Sequence, residues 1–137
     1  MTQKELSQLY HLNREIKMDE RRIKELRAKA QSTSSGQLSG MPRNPTVESK
    51  LERYVAELVD LSVIISTKRQ RCIHERNRLE RYINDIEDSQ TRQVFTLRFV
   101  DGMSWLQVAR EIGGGATESY VCNVCHLYLK KQNKNKK

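Results

Sequence analysis

The sequence predicts an all-α protein: an N-terminal helical hairpin or coiled coil followed by a C-terminal trihelical unit. Three observations carry this. The 137 residues include only 6 glycines and 2 prolines, and these are clustered, which suits long uninterrupted helices better than a many-turned β fold. Apolar residues recur at heptad spacing along two long stretches. From residue 88 onward, the pattern changes to short helical periods separated by turn residues.

The first segment, 1–31, reads as a helix from Thr2 to Ala30. Leu9, Leu12, Ile16, Ile23, Leu26 and Ala30 fall on the a and d positions of one heptad frame, with Asp19 in the remaining d position. So narrow an apolar stripe, among faces dense in Lys, Arg, Glu and Gln, fits a coiled-coil seam. Residues 32–45, STSSGQLSGMPRNP, are expected not to sustain a helix and to form a flexible connection.

The third segment, 46–87, is expected to be one long helix with Thr46 as its N-cap. Leu51, Leu58, Ile65, Cys72, Leu79 and Ile86 recur every seven residues, and Tyr54, Leu61 and Tyr82 fill d positions. Lys68 and Glu75 interrupt the stripe, and Val55, Val59, Ile64 and Ile83 widen it. A helix of about 40 residues is about 60 Å long, more than the first helix can cover. The expected solution is an antiparallel hairpin, with Leu51, Leu58, Leu61, Ile65, Leu79 and Ile86 as a seam also available to a second copy in a homodimer.

Residues 88–131 hold three short helical patterns. Asp88 or Ser89 caps the first, which presents Val94, Leu97 and Arg98 and ends near Val100. Asp101-Gly102 makes a turn in which glycine takes the left-handed conformation without penalty. Ser104 caps the second pattern, WLQVAREI, whose apolar positions are Leu106, Val108, Ala109 and Ile112, and Gly113-Gly114-Gly115 ends it. Thr117 caps the third, with Val121, Val124, Cys125, Tyr128 and Leu129 as its apolar face. A short helix, a tight turn and a further helix form the geometry that projects the last helix into a major groove, a helix-turn-helix. The lysine-rich 132–137 is expected to be a disordered tail.

The formal net charge is +8 and the sequence pI about 9.6, which favours polyanionic partners such as nucleic acid. Residues 88–137 hold eight Lys/Arg against four Asp/Glu, five of the eight being lysines from Lys130 onward. No stretch approaches the roughly 20 apolar residues of a membrane span, and the N-terminal residues lack the apolar core of a secretory signal. Three cysteines without an export signal are expected to be reduced thiols in a cytosol. Cys122-Asn-Val-Cys125-His126 matches the c-type haem pattern literally, but haem attachment needs an exported chain. Zinc needs four converging ligands, and nothing pairs these positions. The triple glycine lacks the Gly-Lys-Ser/Thr of a phosphate-binding loop, and no nucleophile, base and orienting group assemble. Neither cofactor, metal nor enzymatic activity is expected.

The run VFTLRFVDGMSWLQVAREIG, Val94 to Gly113, resembles region 4 of sigma-70-type factors, where a VLxLRFxxGxSxxEIAxxLG pattern introduces the recognition helix. The chain as a whole is similar to small phage and prophage transcriptional regulators of Gram-positive bacteria, akin to the late-gene activators RinA and ArpU. The resemblance implies a phage origin, work in the cytoplasm of a bacterial host, and double-stranded DNA as partner. It also implies that Thr117, Glu118, Ser119, Tyr120 and Asn123 face base edges, Asn suiting bidentate contact with adenine. Ser104, Trp105, Gln107 and Arg110, with Lys130 and Lys131, then lie near phosphates. The stretch 122–124 departs from the family: Cys122-Asn123-Val124 is uncharged where relatives are rich in Arg or Lys. Three consequences stand open: phosphate contacts moved to the lysine tail, weak DNA binding, or a helix turned to protein contact. A rival function is that of a phage protein inhibiting a host complex, RNA polymerase or a defence nuclease. A third reading is a purely structural coiled-coil adaptor.

Overall fold

The computed structural model describes the backbone of residues 1–35 and 45–137, and the side chains of 1–32 and 49–137. Among the described residues every regular element is helical and no strand occurs. In chain order the elements are α1 (Gln3–Leu6), α2 (Gln8–Ser35), α3 (Pro45–Asn84), α4 (Ser89–Phe95), a π-helical turn (Thr96–Val100), α5 (Trp105–Ile112) and α6 (Glu118–Asn135).

Several boundaries differ from the sequence expectation, each for a local reason. The expected first helix is broken at Ser7, whose hydroxyl donates back to the Gln3 carbonyl at 2.9 Å, so that α1 and α2 are separate. Ser32 to Ser35 continue α2, although they open the expected flexible stretch; residues 36–44 of that stretch lie outside the described residues. Helix α3 begins at Pro45, which sets Thr46 inside the first turn and not at the cap. Proline suits the first helical position, because the amide it lacks would have no partner there. At its far end α3 stops at Asn84, short of the expected residue 87. Helix α6 runs through Asn135, taking up most of the expected disordered tail.

The chain divides into two compact units, Met1–Leu12 with Cys72–Lys137, and Asn13–Arg71. In the first, Leu6, Leu9, Leu79, Ile83, Ile86, Phe95, Phe99, Cys125 and Leu129 form one buried cluster. Phe95 is its centre, with ring centroids 5.4 Å from both Phe99 and Tyr128. Leu79 and Ile86, expected in a coiled-coil seam, are wholly enclosed here at 0% and 1% exposure, which leaves neither for a second copy. Ile86 lies past the end of α3, in a bend held by Arg92, whose guanidinium donates to the carbonyls of Ile86 and Glu87 at 2.5 and 3.0 Å. Arg78 ties α3 to the N-terminal residues by donating to the Glu5 carbonyl at 3.3 Å.

In the second unit Ile16, Leu26, Leu61 and Ile65 are buried, and Leu51 and Leu58 are half-buried. Two of the three polar interruptions of the stripes meet: Lys68 donates to Asp19 at 2.6 Å and lies 3.5 Å from Glu15. Arg69 pairs with Glu20 at 2.7 Å. The Asp19 pair holds the Lys68 ammonium above the usual lysine value, its hydrogen bond and charge outweighing the opposing effect of burial. No helix among the described residues is long and apolar enough to cross a membrane.

Candidate nucleic-acid interface

Four elements of the first unit, α4 to α6, build the candidate surface from strictly local chemistry. Asp88 caps α4, its carboxylate accepting from the Thr91 amide at 2.9 Å and the Thr91 hydroxyl at 2.6 Å. These bonds hold the Asp88 carboxyl below the usual range. After Phe95 the helix widens into the π-helical turn, closed by the Asp101 amide donating to the Thr96 carbonyl. Single π turns of this kind are frequent at functional sites. Arg98 then fixes the exit: its guanidinium donates to the Met103 carbonyl at 2.7 Å and lies 4.7 Å over the Trp105 ring, a cation–π contact. Gly102 sits between at φ +71°, a conformation that side chains rarely adopt.

Helix α5 opens with a reciprocal capping box: the Gln107 amide donates to the Ser104 hydroxyl at 3.3 Å, and the Ser104 amide to the Gln107 side chain at 2.9 Å. It ends at Gly113, and the next two glycines also hold positive φ. Thr117 caps α6 by accepting from the Tyr120 amide at 3.2 Å. Beneath the turns Val94, Val108, Ala109 and Val121 form a second buried cluster, with Leu97, Met103, Ile112 and Ala116 packed around it. Ala109 of α5, 4% exposed, shares this cluster with Val121 of α6. Leu106, expected on the apolar face of α5, is 47% exposed instead.

Among the residues expected at base edges, Thr117, Glu118, Ser119, Tyr120 and Asn123 are all exposed, but they do not present one surface. The Thr117 hydroxyl is occupied by the cap. Tyr120 turns toward α4, its hydroxyl donating to the Gln90 side-chain oxygen at 3.2 Å. Ser119 and Asn123, four residues apart, share the face opposite the buried Val121 and Cys125. Among the residues expected at phosphates, Ser104 and Gln107 are engaged in the α5 cap, though the Gln107 NH₂ group is not needed there. Trp105 is half-buried with its ring perpendicular to that of Phe99, centroids 6.4 Å apart. Arg110, Lys130 and Lys131 are exposed.

The Cys122, Cys125 and His126 set does not converge. Cys125 is fully enclosed in the core, Cys122 is half-buried and His126 is exposed. Burial, with Cys122 adding to it, pushes the Cys125 thiol up to about 12, against the pull of Arg98; such a thiol is a packing group and not a nucleophile. Among the described residues no group of three or more His, Cys, Asp or Glu is placed to hold a metal ion.

Two features escape the sequence reading. The roles of Arg98 depend on a turn geometry that spacing does not display. The alignment of Ser119 and Asn123 with His126, Lys130 and Lys134 is available from helical spacing but hidden when 132–137 is read as a disordered tail. The chain matches no protein-family model, no curated protein and no solved structure.

Proposed function

We propose that the chain is a phage- or prophage-encoded transcriptional regulator that binds duplex DNA through a helix-turn-helix formed by α5 and α6. One observation carries this reading: the capped start of α6 presents Ser119 and Asn123 to solvent, while Val121, Cys125 and Leu129 anchor the opposite side. That is how a recognition helix must be held to enter a major groove. Asn123 is the base-reading residue and Ser119 supports it; Arg110 and the NH₂ group of Gln107 on α5, with Lys130, contact phosphates. The resemblance of Val94–Gly113 to sigma region 4 and the net charge of +8 point the same way. In this reading α2 and α3 form the N-terminal helical hairpin and coiled coil, the protein acts as a homodimer in the host cytoplasm, and it touches host RNA polymerase.

A selection of bound duplexes from random DNA tests the reading. A defined motif is enriched, it persists at near-physiological salt, and Asn123→Ala reduces discrimination at one position by about 1–3 kcal/mol. Enrichment of nothing, with binding that disappears as salt rises, contradicts it.

A second reading has its own observation. Val55, Val59 and Val63 are 49%, 59% and 62% exposed along one side of α3, an apolar row suited to a protein partner. An inhibitor of a host complex uses that row; its binding to the host protein survives Ser119→Ala and Asn123→Ala.

A further inference from the structure

We infer that the C-terminal half of α6 is a phosphate-backbone track for duplex DNA, formed by His126, Lys130, Lys134 and Lys137 along the face that carries Ser119 and Asn123. The inference rests on the DNA-binding reading and extends its phosphate contact at Lys130 to His126, Lys134 and Lys137, which that reading leaves aside. Rotation of α6 is fixed by its buried line, Val121, Cys125 and Leu129, at spacings of four. With about 100° per residue, the opposite line runs Ser119, Asn123, His126, Lys130 and Lys134, all exposed, and Lys137 comes just past the helix end. Lys131 lies about 100° round the helix from Lys130 and is off this line.

The later part of the line is also a place. His126, Lys130, Lys134 and Lys137 border a groove of about 440 Å³, whose other wall includes Thr2 and Gln3. None of the described residues that line it is acidic; the nearby Glu5 carboxylate is taken up by the Thr2 amide and hydroxyl at 2.6 and 2.9 Å. Charge along α6 therefore changes from none at Ser119 and Asn123 to positive at Lys130, Lys134 and Lys137. The lengths fit this division: 15 residues from Ser119 to Lys134 rise about 22 Å, whereas the major groove is about 12 Å wide. A helix whose first turns meet base edges carries its later turns over the sugar-phosphate backbone. The uncharged Cys122-Asn123-Val124 then needs no lysine of its own, because the phosphate contacts come two turns later.

The test measures affinity for a labelled 30-base-pair duplex over a range of salt concentrations. It compares the full chain, Lys130→Ala/Lys134→Ala/Lys137→Ala, and the equally charge-reduced Lys17→Ala/Lys24→Ala/Arg27→Ala. Each phosphate contact contributes about 0.9 to the slope of log affinity against log salt, so the first triple variant lowers the slope by about 2 to 3. The control leaves it unchanged, and the first variant keeps the sequence preference of the full chain. A slope unchanged in the first variant, or lowered equally in the control, overturns the track while leaving DNA binding intact. A full chain that binds no duplex at any salt concentration overturns the track and the DNA-binding reading together.

Discussion

Tyr82 packs its ring 6.5 Å from that of Phe95, yet among the described residues its buried hydroxyl finds no hydrogen-bond partner in the protein. Burial, with Tyr128 and Cys125 nearby, pushes its ionisation up. An unpartnered hydroxyl forfeits its bonds to water on folding, so Tyr82→Phe keeps the packing and removes a cost. Urea denaturation is expected to show Tyr82→Phe as stable as the parent or more stable by about 1 kcal/mol; a loss of that size means the hydroxyl is bonded. At this scale the sequence was most legible where chemistry is local. Ser104 and Thr117 declare themselves as caps, and Asp88 as one of two candidates beside Ser89, because each bonds an amide three residues on; Gly102 does so because only glycine is at ease at its φ. Tyr82 and Arg98 were not legible, since their surroundings come from residues distant in the chain or across an irregular turn.

Elements were legible in kind more than in extent. Heptad spacing marks α2 and α3 because one face of each is apolar, but it does not say which partner covers each part of the face. The Asp19–Lys68 pair illustrates the difference: two interruptions of separate stripes turn out to be each other's partners. Replacing such a pair by leucines restores the stripe and removes the cost of desolvating two charges. The double variant Asp19→Leu/Lys68→Leu is expected to exceed the parent in stability by roughly 1–2 kcal/mol, and either single variant to fall below it. A double variant less stable than both singles contradicts this account of the pair. The sign with pH is set by the raised Lys68 value. Its contribution is full below the ordinary lysine value of 10.5 and is lost as pH rises through the higher folded value. Stability of the parent therefore declines at strongly alkaline pH, a decline reduced in the double variant. The π-helical turn after α4 was not legible, because nothing in TLRFV distinguishes a widened turn from a continued helix.

At the scale of the whole molecule, the units do not coincide with the segments of the sequence. Met1–Leu12 belongs with Cys72–Lys137, because Leu6 and Leu9 are buried beside Leu79, Phe95 and Leu129. A heptad frame assigns Leu9 to a seam with its neighbours in sequence and has no means of placing it against α6. Leu6→Ala is expected to cost about 2–5 kcal/mol, and the loss appears as faster amide exchange in α4 to α6, not only in the first residues. Unchanged exchange there contradicts the shared core. That coupling sets the candidate reading helix on a platform containing both the start of the chain and the end of α3. The central claim, that the exposed face of α6 meets DNA, is tested most directly by backbone amide shifts during titration with a selected duplex. The account predicts perturbations concentrated from Thr117 to Asn123 and continuing at His126, Lys130 and Lys134, with α2 little changed. Perturbations confined to α2 and α3, or none at saturating duplex, contradict it.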